Sequence, residues 1–378
     1  MSGGIVSRQS GLSPRTQPRG HTNTHPATLL EIEMDDGSLR TFPAWRRRHD
    51  FGFPQALATI HVTPDGDGDM ADSHAFATAM QAGLLHLPYG GACGTIRADV
   101  RRLSRDELWR LARGFAAAFP DMAFTRASRQ NAGTLLSGWL SRDLRSLRFG
   151  LDRPSALPLT WEEAIGLGAF TLVDRLHPAP GRWVLHGCDQ TAIHLARLMS
   201  TAGWKLVAAS DWMGAVENPR GLTPSELASA TAGTSGLPAL VGESGTRSSP
   251  DLCAVEADLV VVSSARLGLS GAARLTCRTV IELGADSVGP AADEVLSRQG
   301  IVSVPGFAAT AGGTVYGHLA QLQRKHRLEW DRQETAARLL TRLQDLATLP
   351  DTGMLDEARS RAVRFIALAG WSSTVHAL

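Results

Sequence analysis

Lysine is almost absent from this chain of 378 residues, and its basic character comes almost wholly from arginine: of 38 basic residues only Lys205 and Lys325 are lysines. Any reaction that needs a side-chain amine must therefore use one of two positions. Cysteine is sparse as well. Cys93, Cys188, Cys253 and Cys277 show no C-x-x-C spacing and no nearby paired histidines, which excludes the usual zinc-ligand patterns and leaves reduced thiols of a cytosolic protein as the expectation. No apolar run approaches the roughly 20 residues needed to span a bilayer. The N-terminus lacks the apolar core of a secretion signal, so cytoplasmic residence and no membrane partner are expected. A net charge of +1 supplies no electrostatic case for nucleic acid. The run Asp65-Gly66-Asp67-Gly68-Asp69 lacks the rest of a calcium loop and its terminal Glu, so it reads as an acidic surface loop without a metal.

What is present fits an ordinary folded protein: 43% hydrophobic and 20% charged residues, in a chain long enough for two domains. Residues 1–27 are polar and rich in Ser, Gly, Pro and Arg, the composition of a disordered tail. Thr28–Met34 and Leu39–Trp45 around Asp35-Asp36-Gly37-Ser38 read as a hairpin, and Leu57–Val62 as a further strand. Helices are expected over Ser73–Leu85 with Ser73 as N-cap, from the capping box Ser104–Glu107 to Ala118, over Asn131–Leu147, and from Trp161 to Leu176. Strand, turn, helix and strand over Arg182–His186, Gly187–Thr191, Ala192–Ala202 and Lys205–Ser210 form a βαβ unit. Strands at Leu259–Ser263, Thr279–Leu283 and Ile301–Val304 continue a doubly wound sheet. Residues 233–252 read as a loop. Helices from Ala311 to Leu346 and from Leu355 onward close the chain.

Five segments occur in an order that matters. Leu87-Pro-Tyr-Gly-Gly-Ala-Cys-Gly-Thr-Ile-Arg-Ala-Asp99 comes first, then Asn131-Ala132-Gly133-Thr134, then Glu162-Glu-Ala-Ile-Gly-Leu-Gly168. Ala209-Ser210-Asp211 with Asn218-Pro219 follows, and Val304-Pro305 with Ala309-Thr-Ala-Gly-Gly313 is last. Together they resemble the Glu/Leu/Phe/Val (amino-acid) dehydrogenases over most of residues 30–330. The resemblance implies two α/β domains with a cleft between them: an N-terminal substrate and dimerisation domain over 28–155, joined by C-terminal helices at about 347–378, and a Rossmann-like nucleotide-binding domain over 156–346. It implies NAD(P) as cofactor, an amino acid or its keto acid as substrate, and a homo-oligomer.

The family's catalysis needs a lysine and a carboxylate to activate water and move protons while hydride passes to nicotinamide, with further lysines holding the substrate carboxylate. By the family's spacing the catalytic lysine falls on Cys93 and the catalytic aspartate on Ala127. The substrate lysines fall on Leu57 and Gln81, and the arginine of the first lysine's strand on His61; Gly90 and Gly91 line the same segment. On the cofactor side G-x-G-x-x-G reads Gly187-Cys188-Asp189-Gln190-Thr191-Ala192, so an aspartate stands where the pyrophosphate approaches the helix. The family's Thr falls on Ile165, and its asparagines fall on Asp286 and Thr310. Asp211 is retained where a ribose would be held.

Two readings follow. In one the chain is a non-catalytic homologue, a partner or regulator of an active enzyme in a hetero-oligomer, or a binder of a small ligand in the old cleft. In the other it is an NAD(P)-dependent oxidoreductase of altered substrate and mechanism, or a repurposed enzyme with Cys93 as nucleophile in a glycine-rich turn and His61 or His86 as base. A cleft that is filled and apolar speaks for the first. An exposed Cys93 beside a base speaks for the second, and retained cofactor binding requires Asp189 to point away from the pyrophosphate site.

Overall fold

A computed structural model describes residues 27–99, 102–119, 124–127, 157–233, 235–249, 251–284, 287–350 and 354–375. The expected helix Asn131–Leu147, most of the expected tail and Asp286 lie outside them.

The first unit is built on a five-stranded sheet. The hairpin of β1 (Thr28–Glu33) and β2 (Leu39–His49) forms as expected. Leu30 and Ile32 point inward while Leu29, Glu31 and Glu33 point out, the period-two pattern of a half-buried strand. β3 (Ala56–Thr63), β4 (Gly90–Arg97) and β5 (Phe124–Ala127) complete the order β1-β2-β4-β3-β5, with β4 antiparallel to β2 and parallel to β3. One face packs on α2 (Arg105–Ala118), which starts at the expected Ser104 capping box; its core includes Phe42, Ile60, Ile96, Leu111 and Phe115.

The other face lies under α1 (Gly68–Leu84). Its N-cap is Asp67, whose side chain accepts from Met70 N–H at 2.8 Å, and not Ser73 five residues beyond the helix's first residue. The acidic run is therefore partly helix. Asp is a strong N-cap, whereas Gly68 is a poor helix former that hides the first turn from a periodicity reading. α1 also lacks a clean polar face: Ala71, Ala75, Ala79 and every residue from Met80 to Leu84 are buried, so it is enclosed on several sides.

The second unit is a seven-stranded sheet in the order β12-β11-β10-β6-β7-β8-β9. β6 (Arg182–His186), β7 (Lys205–Ser210), β10 (Leu259–Val262), β11 (Thr279–Glu282) and β12 (Val302–Val304) are parallel. Two antiparallel strands extend the sheet at one side: β8 (Ala215–Leu222), and at the edge β9 (Arg247–Ser248), which lies within the expected loop 233–252. α3 (Trp161–Leu176) opens on a capping box at Thr160, and α4 (Gln190–Thr201) is the crossover between β6 and β7. α5 (Pro224–Ala232), α6 (Leu269–Ala272), α7 (Pro290–Arg298) and α8 (Gly306–Ala309) follow, then α9 (Ala311–His326), α10 (Arg332–Leu343) and α11 (Met354–Val375). Alternate strand residues feed two cores. Val184, Val260, Val262 and Val280 pack with Ala292 and Leu296 on one face. Trp183, Leu185, Val261 and Ile281 pack with Ile165 and Ile193 on the other.

That second core does not stop at the domain boundary. It continues through Leu57, Met80, Leu84, Leu85, Leu87 and Tyr89 of the first unit. α11 returns against the end of α1, where the Phe365 ring lies 5.2 Å from His86 and 6.3 Å from Phe53. Among the described residues no helix is long and apolar enough to cross a membrane.

Candidate functional site

The seam between the two units is built from β3 and α1 on one side and α8 and α9 on the other. β4 is a buried strand, so the glycine-rich segment is not a turn around Cys93 as the sequence suggested. Its glycines answer to packing: a Cβ on Gly91 would sit 2.0 Å from the Ala75 carbonyl oxygen and 2.4 Å from the Ala79 nitrogen, so α1 can lie on the sheet only if this side chain is absent.

Cys93 is fully buried, with Arg47 on β2 and Thr59 on β3 as its cross-strand neighbours. Its thiol donates weakly to the Gly94 carbonyl oxygen at 3.5 Å, and burial pushes its pKa up to about 12. A nucleophilic thiol needs the opposite, a lowered pKa and access. Neither proposed base serves it. The His61 ring packs against His74 at 4.0 Å, and burial together with that neighbour holds its pKa well below the usual histidine value. His86, exposed and with φ +52° just past α1, faces Asp345 at 3.5 Å. Leu57 is 2% exposed and belongs to the continuous apolar core. Ala127 ends β5, and its neighbour Arg126 pairs in register with Thr59.

Gln81 crosses the seam. Its Nε2 donates to Thr310 Oγ1 at 2.7 Å, and its Oε1 accepts from Thr314 Oγ1 at 2.6 Å. Thr310 in turn donates to the Gly306 carbonyl oxygen. One turn further along α9, His318 Nδ1 lies 3.2 Å from the Tyr89 hydroxyl. Both rings are buried, and burial lowers the His318 pKa to about 4, so the imidazole is neutral and the Tyr89 hydroxyl donates to it. Thr310, Thr314 and His318 recur every four residues along the start of α9, a polar stripe of which only Thr310 is singled out in the sequence, as the place of a family asparagine. Gln81 was singled out only as a lost lysine; its partners are 229 and 233 residues away, beyond any local signal.

The nucleotide loop is equally self-contained. Gly187 has φ +88°, and a Cβ there would lie 2.7 Å from Ala265 N and 2.8 Å from Ser264 atoms, so this first glycine is required by the turn itself. Asp189 is the N-cap of α4: one carboxylate oxygen accepts from Ala192 N–H at 2.9 Å and the other from the Ser263 hydroxyl at 3.0 Å. Burial raises its pKa, against the pull of those hydrogen bonds. The carboxylate thus folds back onto the helix N-terminus, where a phosphate would otherwise take the free N–H groups. Ala192, in the third glycine's place, is fully buried. Asp211 accepts from the N–H groups of Met213, Gly214 and Leu237 at 2.8, 3.2 and 2.7 Å; its carboxylate holds the turn between β7 and β8. Ile165 is buried inside α3. Ser263 was missed by sequence reasoning; it follows directly on β10, and only the parallel pairing of β10 with β6 brings it to Asp189.

Two family models match the chain: the Glu/Leu/Phe/Val dehydrogenase dimerisation domain over residues 26–126 and the Glutamate/Leucine/Phenylalanine/Valine dehydrogenase model over residues 162–362. An NADP-specific glutamate dehydrogenase of Synechocystis is 25% identical over 357 residues, spanning 86% of this chain and 83% of its own. An NADP(+)-dependent glutamate dehydrogenase of Pyrobaculum calidifontis is 29% identical, spanning 82% and 79%. Among solved structures, the hetero-hexameric glutamate dehydrogenase of Thermus thermophilus in its Leu-bound form superposes with a TM-score of 0.80 at 24% identity, over 91% of this chain and 88% of that one.

Proposed function

The chain belongs to the Glu/Leu/Phe/Val dehydrogenase family, and from that premise we propose that it is a member that has given up amino-acid dehydrogenation and works as the non-catalytic subunit of an assembly with an active homologue. The observation that carries this reading is the Gln81 clasp, set in a seam otherwise filled by Leu57, Leu84, Leu87 and Tyr89. A substrate amino acid needs charged partners for its carboxylate and a proton shuttle at its α-carbon. At the family's positions this chain offers a leucine, a thiol with a raised pKa, an alanine, and an amide whose two polar atoms are already engaged.

The residues present fit a dinucleotide poorly. Asp189 holds the Ala192 N–H, and Asp211 has committed its carboxylate to three backbone donors. A pyrophosphate would meet an anion and a spent helix terminus. An oligomeric role is supported by the match to a dimerisation domain, and the fold neighbour of Thermus thermophilus is a hetero-hexamer. A second reading, an NAD(P)-dependent oxidoreductase of altered substrate, is favoured by two features: the parallel sheet and the Gly187 turn are intact, and the relatives are NAD- or NADP-specific enzymes.

The test is direct. The purified chain is assayed for reduction of NAD+ and NADP+ with glutamate, leucine, phenylalanine and valine, alone and mixed with an active homologue. No turnover alone, with altered kinetics or co-migration of the active homologue, is the expected result. Turnover by the chain alone with any of the four overturns the proposal.

A further inference from the structure

Away from the seam and the nucleotide loop, the first unit carries a surface concavity of about 310 Å³ where the start of β2, the end of β4 and the segment before α2 meet. Three guanidinium groups line it, one from each: Arg40, Arg97 and Arg102. Pro64 forms part of the wall, and Asp99 is the one carboxylate in the lining. The local charge is thus +2, while the whole chain carries +1.

These arginines differ from several others in the molecule. Among the described residues, Arg110, Arg247, Arg274, Arg298, Arg332 and Arg338 each hydrogen-bond a carboxylate. Arg97 does not: its Nε donates to the Gly66 carbonyl oxygen at 2.8 Å and its guanidinium lies 5.0 Å over the Trp45 ring. Those contacts fix the plane of the group and leave its terminal N–H donors unused among the described residues. Arg102 approaches Asp99 only at 3.6 Å. Arg40 has Asp36 as an electrostatic neighbour without a hydrogen bond to it.

We propose that this concavity binds a small phosphorylated molecule carrying at least two phosphoryl charges, with Arg97 as the pre-oriented anchor and Arg40 and Arg102 closing on it. Guanidinium forks match phosphate oxygens two at a time, and an arginine already held in its plane loses less side-chain entropy on binding than a free one. Three forks around one pocket exceed what a singly charged carboxylate can engage. The site shares no residue with the seam or the nucleotide loop, so it stands whether or not the chain is catalytic.

Inorganic pyrophosphate is the probe, titrated calorimetrically into the full chain. Binding is expected at about 0.1–1 mM at low salt, weakening severalfold between about 50 and 200 mM salt as exposed charges are screened. Arg102→Gln should weaken it about fivefold and the Arg40→Gln/Arg97→Gln/Arg102→Gln triple variant should abolish it. Thermal melting confirms that each variant is folded. Pyrophosphate binding that is untouched in the triple variant places the site elsewhere and overturns the proposal. Absence of binding at 10-fold above the expected range, or sulfate binding as tightly as pyrophosphate, overturns it too.

Discussion

Asp189 is the residue through which the reading of the nucleotide loop can be broken most cleanly. Replacing it by Asn keeps an oxygen that can cap Ala192 N–H but removes the charge; replacing it by Gly removes both. Two unit charges about 4 Å apart repel by about 1 kcal/mol in water and by about 4 kcal/mol at an effective dielectric near 20. Asp189 is half-buried, so the upper part of that range applies. With tenfold in affinity for each 1.4 kcal/mol, neutralising the side chain should tighten dinucleotide binding by about tenfold to a few hundredfold. The cost to the helix is small, since exchanging an Asp N-cap for Gly loses only a few tenths of a kcal/mol. The assay is calorimetric titration with NADH and then NADPH against wild type, Asp189→Asn and Asp189→Gly. Because burial raises the Asp189 pKa, wild-type affinity should also improve as pH falls toward that raised value, and the Asn variant should not share the trend. Micromolar binding by wild type that neither variant improves would refute the argument. Silence from all three would show that one carboxylate is not what closes the site.

Other outcomes follow from the seam. Gln81→Leu strands the Thr314 hydroxyl, while Thr310 keeps its bond to the Gly306 carbonyl oxygen, and should cost about 1–3 kcal/mol, read as a lower denaturation midpoint with unchanged slope; a loss within error would mean that the clasp contributes nothing. His318 has a folded pKa near 4 against about 6.5 when exposed. The unfolded chain therefore binds the extra proton between these values, and stability falls as pH drops from about 6.5 to about 4 and is level above. The ceiling is about 3 kcal/mol, and His318→Phe should flatten that part of the profile in chemical denaturation at pH 7 and 4.5. Thiol titration with a disulfide reagent should find Cys93, Cys188 and Cys277 slow in the native protein, since all three are buried with pKa values pushed to about 12, and Cys253 the first to react; rapid modification of Cys93 would revive it as a nucleophile.

Much of the fold was local enough to read from the chain. The capping box at Ser104 joins residues three apart, and the hairpin at Asp36–Ser38 closes on its own side-chain hydrogen bond. The βαβ unit at 182–210 followed from a change of hydrophobic period. Where local signals competed, the reading slipped. Gly68 interrupts the helical pattern, so the sequence points to Ser73 as the cap in place of Asp67. β8 carries no period-two signal through Asn218 and Pro219, which it tolerates as an antiparallel strand near the sheet edge, paired on its outer side with the two-residue β9.

The sequence by itself determined the ancestry and the positions at which charge has been lost, because those rest on residue identity and order. It also determined that Gly187 survives and that an aspartate follows two residues later. Only the tertiary structure decided what the replacements do. Gln81 becomes a clasp because α9, more than 200 residues away, presents two hydroxyls to it. Asp189 turns inward because Ser263 sits at the end of the neighbouring parallel strand. Cys93 is quenched because α1 lies close over β4, and Arg97 is oriented by Trp45 and Gly66. Each of these depends on the distance between groups far apart in the chain, and a side chain's pKa, hydrogen bonds and exposure are set by such neighbours.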